Sequence, residues 1–178
     1  ALASEYFDLL PFVGLNLGRA LAGASRLAAA EAALRETVER AESLGQAMHA
    51  AEARLDLAAV LLDRGDPGGA EAVWDEVPED MRMRFAPASA LVEAKRERRR
   101  TGRARARASA VASIERLRGA VADFELIPLL VYARTLADED ATTSEVSDEL
   151  SVLAARYDVV IDVVPDGSGQ RQWGSSSP

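Results

Sequence analysis

Asn16-Leu17-Gly18-Arg19-Ala20-Leu21 is answered forty residues later by Asp56-Leu57-Ala58-Ala59-Val60-Leu61. The echo runs on, with Ala30 and Leu34 corresponding to Ala70 and Trp74. A fixed period of this size marks stacked helical hairpins, each of which buries its apolar face only against its neighbours. The fold expected from it is all-α.

The first helix is expected from about Tyr6 to Leu21, with Pro11 near its start or kinking it. The second carries Leu27, Ala30, Leu34, Val38, Ala41 and Leu44, in steps that set one apolar stripe on one face. Gly45 closes it, because glycine takes the left-handed conformation at a helix C-terminus without a Cβ penalty. A third helix, about Gln46 to Arg64, buries Ala51, Leu55, Ala58 and Leu62 and stops at Gly65. Asp66 and Pro67 open a fourth, one by capping free N–H groups and the other through its preset φ. It runs to about Val77, and Pro78 ends it.

A fifth helix is expected between Pro87 and Arg100, closed by Thr101-Gly102. A sixth places Val111, Ile114, Leu117, Val121 and Phe124 on one side. The seventh spans about Glu125 to Ala137, with Pro128 in its first turn. Thr142 and Glu145 are spaced as a capping box for the eighth, which buries Val146, Leu150, Leu153 and Tyr157. About eight helices in four hairpins thus fill a helical-repeat domain over residues 1–157. From 158 to 178 the pattern changes: Val159 to Val164 reads as extended, and Gly, Ser and Pro dominate from Pro165 onward, the composition of a disordered tail.

Composition agrees with this reading. The chain has 178 residues, 48 % of them hydrophobic, enough for one full core. No apolar run reaches the roughly 18 residues needed to cross a bilayer. Cysteine is absent, which excludes disulfides and thiolate chemistry and fits a cytoplasmic setting. The opening Ala1-Leu2-Ala3-Ser4-Glu5 has neither an initiator methionine nor the basic flank of a secretory signal, as expected of a piece of a longer protein.

Leu57, Ala58, Leu61, Gly65, Ala70 and Trp74 resemble a tetratricopeptide repeat: a Leu-small pair and a large residue on the first helix, glycine at the turn, then alanine and an aromatic on the second. Leu17, Gly18, Leu21, Ala30 and Leu34 repeat the pattern, with Ser25 in place of the turn glycine. The period of forty exceeds the usual 34, and the later hairpins keep only the rhythm. Long alanine-rich units such as Ala29 to Gly45 are similar to those in the C-terminal repeat arms of large bacterial regulators of the ATPase and cyclase types. The resemblance implies a short right-handed solenoid that binds a protein partner, neighbouring domains or a small effector on the surface lined by the first helices.

Counted from Leu57, that surface carries Glu52, Asp56 and Ala59, with Phe12, Asn16 and Arg19 at equivalent places of the first unit. Apart from it, the strongest charge feature is Lys95, Arg96, Arg98, Arg99, Arg100, Arg103, Arg105 and Arg107, with Glu97 as the one acid among them. This run carries +7 in a chain of −8, leaving −15 elsewhere. Such asymmetry marks either a solvated helix end or a contact with nucleic acid or an acidic partner. No aromatic residue interleaves the run to stack bases, and the acidic remainder repels a phosphate backbone, so an acidic protein surface is the expected partner. A nucleic-acid-associated module is the alternative.

The acidic group Asp138, Glu139, Asp140 and Glu145 lacks the glycine and terminal glutamate of a calcium loop. His49 is the sole histidine, expected on a helix surface, which leaves no multi-histidine metal site or His-paired nucleophile. There is no GxxxxGK[ST] loop and no GxGxxG turn. No enzyme activity, cofactor, metal or membrane association is therefore expected.

Overall fold

The computed structural model describes residues 9–136 and 145–157. Every regular element among them is helical: α1 (Leu10–Gly23), α2 (Leu27–Ser43), α3 (Ala47–Arg64), α4 (Pro67–Asp75), α5 (Glu79–Arg84), α6 (Ala86–Thr101), α7 (Arg103–Leu117), α8 (Ile127–Thr135) and α9 (Glu145–Tyr157). A 3-10 turn, Asp123–Leu126, precedes α8. The expected helix start at Tyr6, the capping residue Thr142, the side chain of Tyr157, the tail 158–178 with Trp173, and the acids Asp138, Glu139 and Asp140 lie outside the described residues.

The two echoing units turn in the same way. Arg26 N–H donates to Leu21 O at 2.8 Å, and Asp66 N–H donates to Leu61 O at 2.9 Å, forty residues on. Both turns need a left-handed residue, supplied by Ser25 at φ 57 in the first and Gly65 at φ 88 in the second. Asp66 then caps α4 by accepting from Gly69 N–H at 2.9 Å. Small residues let each helix pair approach closely. A Cβ built on Gly18 would lie 2.6 Å from Cγ and Cδ2 of Leu34, so the glycine is what admits that leucine between α1 and α2. In the second unit Ala58, Ala70 and Trp74 are all buried in one cluster.

Consecutive pairs α1–α2, α3–α4, α6–α7 and α8–α9 are in contact, and so are α1 with α3, α3 with α6, and α6 with α8. The second helix α2 also packs on α3, and α7 on α8. The core falls into two clusters. One gathers Leu15, Leu34, Leu55, Leu61, Trp74 and Val77 with Val92 of α6. The other gathers Ala90, Ala94, Ala106, Ala110, Ile114, Leu129, Leu130 and Leu153.

Several expectations need correction. The short helix α5 is additional, so the described residues hold nine α-helices where about eight were expected. Its sequence, Glu79 to Arg84, is polar and buries no residue, so it shows no apolar period. The stripe from Val111 to Phe124 breaks after Leu117, because the chain turns through Gly119 at φ 75. Phe124 is consequently exposed. Leu17 is 52 % exposed, whereas its counterpart Leu57 is 3 % exposed. His49 is half-buried on α3.

Candidate functional site

The first helices α1, α3, α6 and α8 are tied together through polar side chains. Glu52, Asp56, Ala59 and Asp63 recur at steps of four, three and four, which puts them on one face of α3. From α1, Arg19 Nε donates to Asp56 Oδ2 at 2.7 Å and Nη2 to Glu52 Oε1 at 2.7 Å. From α6, Lys95 Nζ donates to Asp63 Oδ2. The same Nζ lies 5.3 Å from the ring centroid of Tyr132 on α8.

Burial sets the electrostatics of this ladder. The Asp56 side chain is 17 % exposed, and desolvation pushes its carboxyl up to about 6, more than Arg19 pulls it down. For Arg19, burial favours the neutral form, but Asp56 and Glu52 outweigh it and hold the guanidinium above its ordinary pKa. Asp56 is therefore a carboxylate that protonates in the mildly acidic range.

Of the residues placed on this surface from sequence, Arg19, Glu52 and Asp56 come together directly. Phe12 is exposed, and Asn16 Nδ2 turns back to donate to Phe12 O at 2.9 Å. Ala59 belongs to the core cluster, so it offers no free surface to a ligand. Missing from that set are Asp63 and Tyr132. Asp63 could have been read as the next step of the α3 row; Tyr132 has no periodic signal that links it to Lys95.

Beside the ladder lies an open groove of about 540 Å³, lined by Ser25, Leu62, Asp63, Lys95, Arg98 and Arg99 among others. Three cations against one carboxylate give it a positive lining. Arg99 donates to the carbonyl of Leu62 in the last turn of α3, where a cation also meets the negative end of the helix dipole.

Much of the basic run is engaged within the chain. Arg96 binds Glu71 with Nε at 2.9 Å and Nη2 at 2.6 Å, a bidentate pair, while Arg100 lies 4.0 Å from the same carboxylate. Arg96 and Arg82 also sit over the Trp74 ring, at 5.2 and 5.0 Å from its centroid. Arg103 Nη2 donates to Thr135 O at 3.1 Å. Since α7 begins at Arg103, Arg103 and Arg107 share one half-buried face of its first turns, while Arg105 points away to solvent. The run is thus divided between α6 and α7 and does not form one continuous strip.

Among the described residues no group of three or more His, Asp or Glu side chains is placed to hold a metal ion, and no helix is long and apolar enough to cross a membrane. No family model, curated protein or solved structure matches the chain.

Proposed function

We propose that this chain is a non-catalytic helical-repeat interaction module, a short right-handed tetratricopeptide-like solenoid within a larger regulatory protein. It holds an acidic segment of a protein partner or neighbouring domain along the face of α1, α3, α6 and α8. The observation that carries this reading is the side-chain ladder Arg19–Asp56 and Asp63–Lys95–Tyr132, which aligns four first helices beside a positively lined groove. Shared alignment of this kind gives an extended surface whose pieces come from different repeats. Nucleic acid is the weaker alternative, because the basic run is divided between α6 and α7 and the rest of the chain carries −15, which repels a phosphate backbone.

Peptides selected for binding from an acidic display library, compared with a short DNA duplex across salt concentration, test the reading. The expected peptides protect amides of α3, α6 and α8 from hydrogen exchange and lose affinity in Arg98→Glu. Duplex binding at physiological salt, with a steep salt dependence and loss on changing Arg103, Arg105 and Arg107 to Ala, contradicts it.

A further inference from the structure

Helices α1 and α3 are equivalent by the forty-residue echo, yet they are not equally covered. Pro11, Leu15 and Gly18 are buried like their counterparts Ala51, Leu55 and Ala58. This shared face meets the helix's own hairpin partner, as the close approach of Gly18 to Leu34 shows. A second face differs. On α3, Ala53, Leu57 and Val60 are 0, 3 and 3 % exposed, whereas on α1 Val13 and Leu17 are 57 and 52 % exposed and Ala20 is exposed as well. Leu9, at 56 %, extends the uncovered stripe by one turn.

The difference identifies what covers this face. Both helices have a hairpin partner and a following first helix, since α1 touches α2 and α3, and α3 touches α4 and α6. Only α3 also has a preceding hairpin against it, with both α1 and α2 in contact. The added helix α5 reaches α3 elsewhere, where Met81 shares a small cavity with Ala47, Ala50, Ala51 and Arg54. Ala53, Leu57 and Val60 are therefore the positions that a preceding hairpin seals.

We infer that the outer face of α1, formed by Leu9, Val13, Leu17 and Ala20, is a stacking surface for a further helical hairpin, whose second helix seats on it as α2 seats on α3. The occupant must present an uncharged apolar stripe, because α1 carries no charged residue between Leu10 and Gly18. Its second helix runs antiparallel to α1, the direction imposed by a short connection like Leu44 to Gln46 between α2 and α3. This inference rests on the repeat reading proposed above, and the two can fail separately.

Because the chain has no cysteine, Leu17→Cys supplies a single reporter thiol. In the chain as it stands, that thiol reacts with a thiol reagent nearly as fast as a free peptide thiol. Tandem duplication of residues 9–48 places a hairpin in register before the second copy of α1. With Leu17→Cys made in that second copy alone, the thiol is expected to react about a hundredfold more slowly, as a site that needs local opening. In a parallel variant Leu17→Glu leaves the denaturant midpoint of the unduplicated chain unchanged but lowers that of the duplicated chain when placed in its second copy. A duplicated chain that does not fold, or whose second-copy thiol stays reactive, overturns the inference. So does a natural chain that sediments as a dimer and becomes monomeric with Leu17→Glu, since the occupant is then a second copy. If Ala70→Leu still destabilises the natural chain in those cases, the repeat reading survives without the stacking surface.

Discussion

The first two hairpins and the last two solve the same packing problem with different residues. In α1–α2 a small residue on one helix admits a large one from its partner, Gly18 taking Leu34, and the equivalent second-unit positions, Ala58 and Trp74, are both buried. In α6 and α7, the alanines Ala90, Ala94, Ala106 and Ala110 are buried together with Val92, Ile114 and Leu117. A glycine facing a leucine and a buried tryptophan leave a recognisable pattern. Buried alanines do not stand out in a chain where alanine is abundant throughout. The helices of the second half kept their period for that reason while losing their signature.

The largest expected effect comes from emptying the first kind of contact. Leu34 is 0 % exposed and fills the space above Gly18, so Leu34→Ala should cost about 2–5 kcal/mol in denaturant unfolding. A cost below about 1 kcal/mol would mean that the α1–α2 pair is not closely packed.

Ala70 and Ala110 are 2 % and 0 % exposed in different halves, and a leucine at either should overpack its hairpin by about 1–3 kcal/mol. Tolerance of leucine at Ala110 but not at Ala70 would show that only the first half follows the repeat's packing rule.

Asp56 supplies a smaller, pH-dependent term. Its carboxyl titrates at about 6 in the folded chain against a reference of 3.8, so the folded state holds its proton more tightly. The associated stability is fully present below 3.8 and is lost as pH rises through about 6. Asp56→Asn should flatten this slope and change the difference in stability between pH 4 and pH 7 by about 2 kcal/mol. An unchanged pH profile would place the carboxylate in water and loosen the tie between α1 and α3.

The smallest effect belongs to Arg105, exposed in the first turn of α7. Arg105→Ala should move stability by no more than about 0.5 kcal/mol, measured by the same unfolding curves.

These contrasts also explain what could be read in advance. The turns at Ser25 and Gly65, the cap at Asp66 and the buried stripe Ala51, Leu55, Ala58 and Leu62 follow from local backbone chemistry and periodicity, and each is legible along the chain. Arg19, Glu52 and Asp56 could be placed on neighbouring helices by transferring one unit onto the other. The exposure of Leu17 could not, because the echo gives equivalence of position and not of neighbours. Lys95 meeting Asp63 and Tyr132 depends on how α3, α6 and α8 pack, a long-range relation with no local signal.

Methyl nuclear Overhauser spectroscopy on the intact chain reports the side-by-side order of the first helices. Val92 of α6 is fully buried in the cluster that holds Leu55, Leu57, Leu61 and Leu62 of α3. The predicted result is cross-peaks between Val92 methyls and leucine methyls of α3. Val92 cross-peaks confined to residues of its own hairpin α6–α7 would contradict the arrangement of α1, α3, α6 and α8 described above.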